Sequence, residues 1–162
     1  AKKMVIGGDS AGGGLAVAAL VALRAVGEPM PAAGVCISAW TDMESTGQSH
    51  TTNAESDPSV SKERLLKIAK VYLDGKEPTA PLASPIHADL TGLPPLLLQV
   101  GSIEVLLDDS TLLKSRAKAA GVSVEMEVWD DMPHVWHHYA PILPEARKAI
   151  GRIGEFVLEH TA

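Results

Sequence analysis

The sequence is poor in cysteine and in aromatic residues. Its 162 residues include a single cysteine, Cys36, and only 4% of them are aromatic. One cysteine excludes an internal disulfide, which is typical of proteins kept in a reducing cytoplasm, and we predict that compartment. Cys36 stands inside an apolar stretch, so we expect it to be a buried core residue without a chemical role.

Long apolar runs and an excess of basic charge are also absent. The longest uninterrupted apolar run, residues 15–23, ends at Arg24, whereas a membrane-spanning helix needs roughly 18 apolar residues. Lys and Arg number 14 against 20 Asp and Glu, a net charge of -6. Nucleic acids and anionic membranes bind clustered basic side chains, so neither is predicted as a partner. We expect a soluble globular protein, since 46% of residues are hydrophobic and 21% are charged.

Apolar runs of strand length alternate with helical patterns along the chain. Strands are predicted at residues 4–6, 34–37, 95–101 and 122–129, and helices at 15–23, at 108–120 and from Pro144 onward. This alternation predicts an α/β fold, a parallel sheet flanked by helices. The alternating polarity of residues 122–129 favours an edge strand.

A polar stretch interrupts this alternation after Thr41. It is too long for a simple connection, so we predict that residues 41–90 form a cap or lid insertion with its return segment. The α/β core would then consist of residues 1–40 and 91–162. Within the insertion, the spacing of Leu65, Ile68, Ala69, Tyr72 and Leu73 predicts a helix with one apolar face, capped by Ser61 and ended by Asp74-Gly75.

The strongest chemical signal is Gly8-Asp9-Ser10-Ala11-Gly12. It matches Gly-x-Ser-x-Gly and lies between a predicted strand and a predicted helix, as a nucleophilic serine requires. The helix N-terminus would offer the N–H of Ala11 to an oxyanion. The glycines do not form Gly-x-Gly-x-x-Gly, and no lysine follows them as in a P-loop, so a phosphate-binding turn is disfavoured.

A nucleophilic serine needs a histidine base and a carboxylate, which α/β-hydrolases carry after later strands. Glu104 follows the third predicted strand and His134 follows the fourth. Asp108 stays open as an alternative acid, because Asp108 and Asp109 follow within a turn of Glu104, although both also suit the first turn of a helix. His137 and His138 are expected in a following helical turn, partly solvated. A zinc site at His134 and His138 is disfavoured because Val135 replaces the glutamate of His-Glu-x-x-His.

At these residues the chain resembles the hormone-sensitive-lipase-like family of bacterial carboxylesterases. The resemblance rests on Gly-Asp-Ser-Ala-Gly-Gly at 8–13, Ser-Ala-Trp-Thr-Asp at 38–42 and Gly-Ser-Ile-Glu-Val-Leu-Leu-Asp-Asp at 101–109. It implies a triad of Ser10, Glu104 and His134, with no cofactor and no metal. It also implies that residues 53–58 and 84–90 contribute to a cap over the acyl pocket.

One departure from that family concerns the N-terminal side of the nucleophile. The family's His-Gly-Gly-Gly loop, which supplies further oxyanion N–H groups, does not occur in these 162 residues. We therefore expect the C-terminal part of an α/β-hydrolase, partnered by an N-terminal segment of the same enzyme or by a second copy. The expected function is hydrolysis of short-to-medium acyl esters through an acyl-enzyme. The alternative is a small-molecule-binding or receptor-like protein on the same scaffold.

Overall fold

The computed structural model describes residues 3–162. Its centre is a four-stranded sheet in which all neighbouring strands are parallel and the spatial order is β1-β2-β3-β4. The strands are β1 (Val5–Asp9), β2 (Ala33–Ile37), β3 (Leu96–Gly101) and β4 (Val124–Trp129). The predicted α/β fold with a parallel sheet is confirmed, and β4 lies at an edge of this sheet, as its alternating polarity indicated.

Helices cover both faces of the sheet, because the inner strand β3 has leucines on both sides. Leu96 and Leu98 of β3 pack into the core formed with α1 (Ala11–Ala25) and α4 (Leu107–Ala119). Leu97 points the other way and packs against Phe156 of α5 (Pro144–Thr161). Every residue of β3 is buried, as expected for a strand with helices on both faces.

The connection between β2 and β3 holds α2 (Ser49–Thr52), α3 (Lys62–Leu73) and a short 3-10 turn, Pro85–His87. The Ser61 hydroxyl caps α3 by accepting the N–H of Arg64, and Asp74 ends the helix in the left-handed conformation. Leu65, Ala69 and Leu73 are buried.

The predicted single apolar face of α3 is only half right. Ile68 and Tyr72 share the helical spacing of the buried residues, yet they are 45% and 60% exposed. Both side chains line an open cavity instead of packing into the core. Only part of the apolar face of α3 is therefore buried.

The four strands run in one direction, so their carboxyl ends meet at one edge of the sheet. Ser10 directly follows β1, and Glu104 and His134 come shortly after β3 and β4. Within residues 3–162, the helices are all too short or too polar to cross a bilayer.

Candidate active site

Ser10 lies at a sharp turn between β1 and α1. Its backbone has φ 54° and ψ -124°, a combination that costs energy for a residue other than glycine. Two hydrogen bonds hold the turn: Ser10 N–H donates to Ile37 O at 2.9 Å, and Trp40 N–H donates to Ser10 O at 2.9 Å. A side chain at Gly8 would collide with the backbone of Gly12. The glycine of the motif is therefore required by the close approach of strand and helix.

The structure brings together three of the predicted site residues in a hydrogen-bonded chain. His134 Nε2 lies 3.0 Å from Ser10 Oγ, and His134 Nδ1 lies 2.9 Å from Glu104 Oε2. A carboxylate only accepts hydrogen bonds, so His134 donates through Nδ1–H and its Nε2 is left to accept the Ser10 hydroxyl. This arrangement can remove a proton from the serine and stabilise the imidazolium that forms.

Glu104 has no exposed side-chain surface, whereas the His134 side chain is 12% exposed. The second oxygen of Glu104, Oε1, accepts hydrogen bonds from Gly101 N–H at 2.6 Å and from the Ser38 hydroxyl at 2.7 Å. A buried carboxylate needs such donors because burial removes it from water. Both carboxylate oxygens of Glu104 are therefore paired, and Oε2 is directed at His134.

Asp108, the alternative acid, takes part in other contacts. Its Oδ2 accepts the N–H of Ser49 at 2.9 Å, and its Oδ1 lies 3.3 Å from the hydroxyl of Thr111. Both atoms are thus held between α2 and the first turn of α4. The structure places Glu104, and not Asp108, beside His134.

His137 and His138 both lie in the 3-10 turn Trp136–Tyr139, as expected, but only His138 is exposed. The expectation that His137 is partly solvated is wrong, because this side chain packs inward and its Nε2 lies 2.8 Å from Gln99 Oε1. Burial lowers the pKa of His137 to about 4, helped by the nearby His138 and opposed by Asp9. The ring is therefore neutral near pH 7.

A second histidine–carboxylate pair, which the sequence did not suggest, links α2 to α4. His50 Nε2 is 3.1 Å from Asp109 Oδ2, and both side chains are almost completely buried. Asp109 Oδ1 also accepts the N–H groups of Thr41 and Asp42. Burial raises the pKa of Asp109, while these hydrogen bonds oppose the rise.

One cavity is bounded by Ser10, and a second is bounded by the residues that directly follow it. One has a volume of about 200 Å³ and is bounded by Ser10, His134 and residues of the α3 region, namely Ser59, Val60, Arg64, Leu65 and Ile68. The other, also of about 200 Å³, lies against the start of α1. Its lining is mostly apolar and includes Ala11, the predicted oxyanion donor, with Leu15, Trp40, Met43 and Tyr72. Ala11 is the first residue of α1, so its N–H has no partner within the helix.

Within residues 3–162, Asp42, Glu44 and His87 form a group whose ligand atoms lie within 4.8 Å of one another. The Asp42 carboxylate already accepts hydrogen bonds from Glu44 N–H, Thr46 N–H and the Thr46 hydroxyl. Burial raises the pKa of Asp42, and these bonds outweigh that effect and hold it below its usual value. The oxygens of the Asp42 carboxylate are thus already hydrogen-bonded to protein groups.

Cys36 is buried, and burial raises the pKa of its thiol to about 12.

The residue of this region that sequence reasoning missed is Ser38. It appeared only as part of a motif, although its position carried a signal: it directly follows β2, and β2 pairs with the strands that precede Ser10 and Glu104. A polar residue at the carboxyl end of that strand has to lie near both.

Comparison with known proteins gives consistent matches. The profile of the alpha/beta hydrolase fold family matches residues 1–138. The chain is 54% identical over 155 residues to an acetyl-hydrolase of Streptomyces hygroscopicus and 38% identical over 156 residues to an esterase of Acinetobacter venetianus. Each alignment covers 96% of this chain and 52% of the relative, so the chain spans about half the length of these curated relatives.

Solved structures agree with these matches. A crystal structure of an esterase from the bacterial hormone-sensitive lipase family superposes with a TM-score of 0.98 at 67% identity. The superposition covers 99% of this chain and 54% of that one.

Proposed function

Since the chain belongs to the α/β-hydrolase fold family, in its hormone-sensitive-lipase-like branch, we propose that it carries the triad of a serine carboxylesterase acting on short-to-medium acyl esters. The observation that supports this most directly is the continuous hydrogen-bonded chain from Ser10 Oγ through His134 to Glu104. The esterase and acetyl-hydrolase names of the relatives support the same reaction class.

In the proposed reaction, His134 Nε2 takes the proton of the Ser10 hydroxyl while Ser10 Oγ attacks the ester carbonyl carbon. Glu104 holds the imidazolium through Nδ1–H. His134 then gives the proton to the leaving alcohol, which departs and leaves an acyl group on Ser10. Water, activated by the same imidazole, hydrolyses the acyl-enzyme and restores the serine. No metal or cofactor is needed for these steps.

The N–H of Ala11 serves as one oxyanion donor in this scheme. It is the first residue of α1, and the positive end of the helix dipole favours negative charge at this point. Ala11 also lines the apolar cavity beside α1, which gives an acyl chain an apolar surface next to the reacting carbonyl.

Residues 41–90 act as the lid segment of the proposed enzyme. Ser59, Val60, Arg64, Leu65 and Ile68 share a cavity with Ser10 and His134, so α3 and the turn before it cover the reacting groups. The Ile68 and Tyr72 side chains, exposed on this face of α3, suit contact with the apolar part of an ester.

The proposed partner of β1 is a further strand, from an N-terminal segment of the same enzyme or from a second copy. Among residues 3–162, β1 pairs with β2 alone, and an unpaired edge with apolar residues favours strand addition. The curated relatives, about twice as long, support the first source.

A fluorophosphonate probe tests the proposed nucleophile. The complete polypeptide should be labelled at Ser10, and Ser10→Ala should abolish labelling and lower the turnover of p-nitrophenyl butyrate roughly 10⁴- to 10⁶-fold, because only binding and oxyanion stabilisation would remain.

Ser59→Ala is the matched control, because Ser59 lines the cavity that contains Ser10. This substitution should leave labelling intact. Labelling that survives Ser10→Ala would contradict the assignment. A protein that binds small molecules but is neither labelled nor hydrolytic would favour the receptor-like alternative.

A further inference from the structure

Ser38 occupies the point where the second parallel strand ends. β2 ends at Ile37, and Ser38 N–H donates to Gln99 O of β3 at 2.7 Å. The residue is completely buried and has a φ of 47°. Glycine would adopt this φ with less strain, so a serine here indicates that its hydroxyl has a use.

The Ser38 hydroxyl uses both its donor and its acceptor. It donates to Glu104 Oε1 at 2.7 Å and accepts the N–H of Val135 at 3.1 Å. Because Glu104 Oε1 is also held by the N–H of Gly101, the carboxylate is fixed from one side and presents Oε2 to His134. One hydroxyl group therefore links the loop after β3 to the loop after β4.

The hydrogen bond from Val135 N–H to the Ser38 hydroxyl matters because of the backbone conformation of Val135. Val135 directly follows His134 and has a φ of 49°, which is unfavourable for a β-branched side chain. The Ser38 oxygen is the acceptor for the Val135 N–H, and this buried N–H would otherwise lose its hydrogen bond. Ser38 thus holds the strained backbone of the residue that directly follows His134.

From these contacts we infer that Ser38 is a positioning residue for the proposed reaction, acting on Glu104 and on the His134 loop at once. The inference rests on the proposed esterase function. Ser38 does not touch the reacting atoms, so its loss should lower turnover without weakening substrate binding.

Ser45 provides a matched control within the same connection. It is also a completely buried serine with a positive φ, 51°, but its hydroxyl has no hydrogen-bond partner. Ser38 and Ser45 therefore share burial and backbone strain and differ in what the hydroxyl contacts.

The experiment compares Ser38→Ala, Ser38→Gly and Ser45→Ala in the complete polypeptide. Both Ser38 variants should lower kcat for p-nitrophenyl butyrate roughly 10- to 100-fold, the loss expected for one hydrogen bond to a buried charged group, with KM nearly unchanged. Ser45→Ala should keep the wild-type kcat. Ser38→Gly is free of the backbone strain, so a loss shared by both Ser38 variants belongs to the hydroxyl.

Proton NMR gives a readout that does not depend on activity. The deshielded His134 Nδ1 proton, in its hydrogen bond to Glu104, should shift or broaden in both Ser38 variants and stay in place in Ser45→Ala. Wild-type kcat and an unchanged resonance in Ser38→Gly would overturn the inference. If the wild-type protein neither hydrolyses esters nor is labelled at Ser10, the proposed function fails, and the NMR comparison still decides whether Ser38 positions His134.

Discussion

Residues 3–162 contain two histidine–carboxylate pairs with similar distances and different surroundings. In one, His134 Nδ1 lies 2.9 Å from Glu104 Oε2, and in the other His50 Nε2 lies 3.1 Å from Asp109 Oδ2. The other ring nitrogen of His134 meets the Ser10 hydroxyl, whereas the other ring nitrogen of His50 is buried without a partner. The two pairs therefore share the same kind of contact and differ in whether another group reaches the second ring nitrogen of the histidine.

The difference lies in what each pair can reach. His134 is partly exposed and lines a cavity with Ser10, so it can exchange a proton with a nucleophile and a substrate. His50 has no exposed side-chain surface. Asp109 instead ties the start of α4 to the loop after β2 through the N–H groups of Thr41 and Asp42. We expect the first pair to control turnover and the second to control stability.

Within this comparison of the two pairs, the largest expected effect is on turnover and follows from Glu104→Gln. An amide at this position can no longer stabilise the imidazolium of His134, and the loss of the equivalent orienting acid in other triads costs about 10⁴-fold in kcat. Steady-state hydrolysis of p-nitrophenyl butyrate by the complete polypeptide measures the effect.

Asp108→Asn and Asp109→Asn are the controls for this experiment, and their folded fractions should keep a kcat close to that of the wild type. If Asp108→Asn or Asp109→Asn loses its turnover while Glu104→Gln remains active, the orienting acid lies in α4. The assignment of turnover to the His134–Glu104 pair would then be wrong.

The next effect is on stability. Asp109→Ala should lower the free energy of unfolding by about 3 to 5 kcal/mol, since it leaves His50 and two backbone N–H groups buried without their acceptor. Urea denaturation measures this change. If this variant does not fold, Asp109→Asn retains one acceptor, and the loss should be about 1 to 3 kcal/mol.

Glu63→Ala is the control for stability, because Glu63 forms an exposed ion pair with Lys67 on α3. Such exposed pairs contribute little to stability, because water and salt screen the two charges. An Asp109 variant that costs no more than this control would mean that the buried pair does not stabilise the fold.

Much of the architecture could be predicted because its signals are local. Strand, glycine-flanked serine and helix follow one another within residues 4–25, and the apolar run of β3 identifies a strand buried on both faces. Ser10, Glu104 and His134 could be named because parallel strands bring residues that follow them to one edge of the sheet.

Long-range pairing was less accessible to sequence reasoning. The Ser38 hydroxyl and Glu104 are 66 residues apart in the chain, and His50 and Asp109 are 59 residues apart. Hydrophobic periodicity carries no information about such partners. His137 was misjudged for the same reason, since its partner Gln99 lies in β3, 38 residues away along the chain.

His137 sharpens the comparison, because it is a buried histidine paired with an amide, Gln99, in place of a carboxylate. With its pKa lowered from 6.5 to about 4 by burial, the folded state binds a proton less readily than the unfolded state. The stability that comes from keeping His137 neutral is fully present above pH 6.5 and is lost as the pH falls through 4.

The pH dependence of unfolding tests this last difference. Between pH 7 and pH 4, His137→Gln should lose less stability than the wild type, by about 3 kcal/mol, since a displacement of one pKa unit corresponds to about 1.4 kcal/mol. Urea denaturation at both pH values measures it, and titration of the remaining groups cancels in the difference. His138→Gln, in the same 3-10 turn but exposed, should follow the wild-type curve more closely. If His137→Gln and the wild type lose equal stability, the pKa of His137 is not lowered in the folded protein, and burial does not keep its ring neutral.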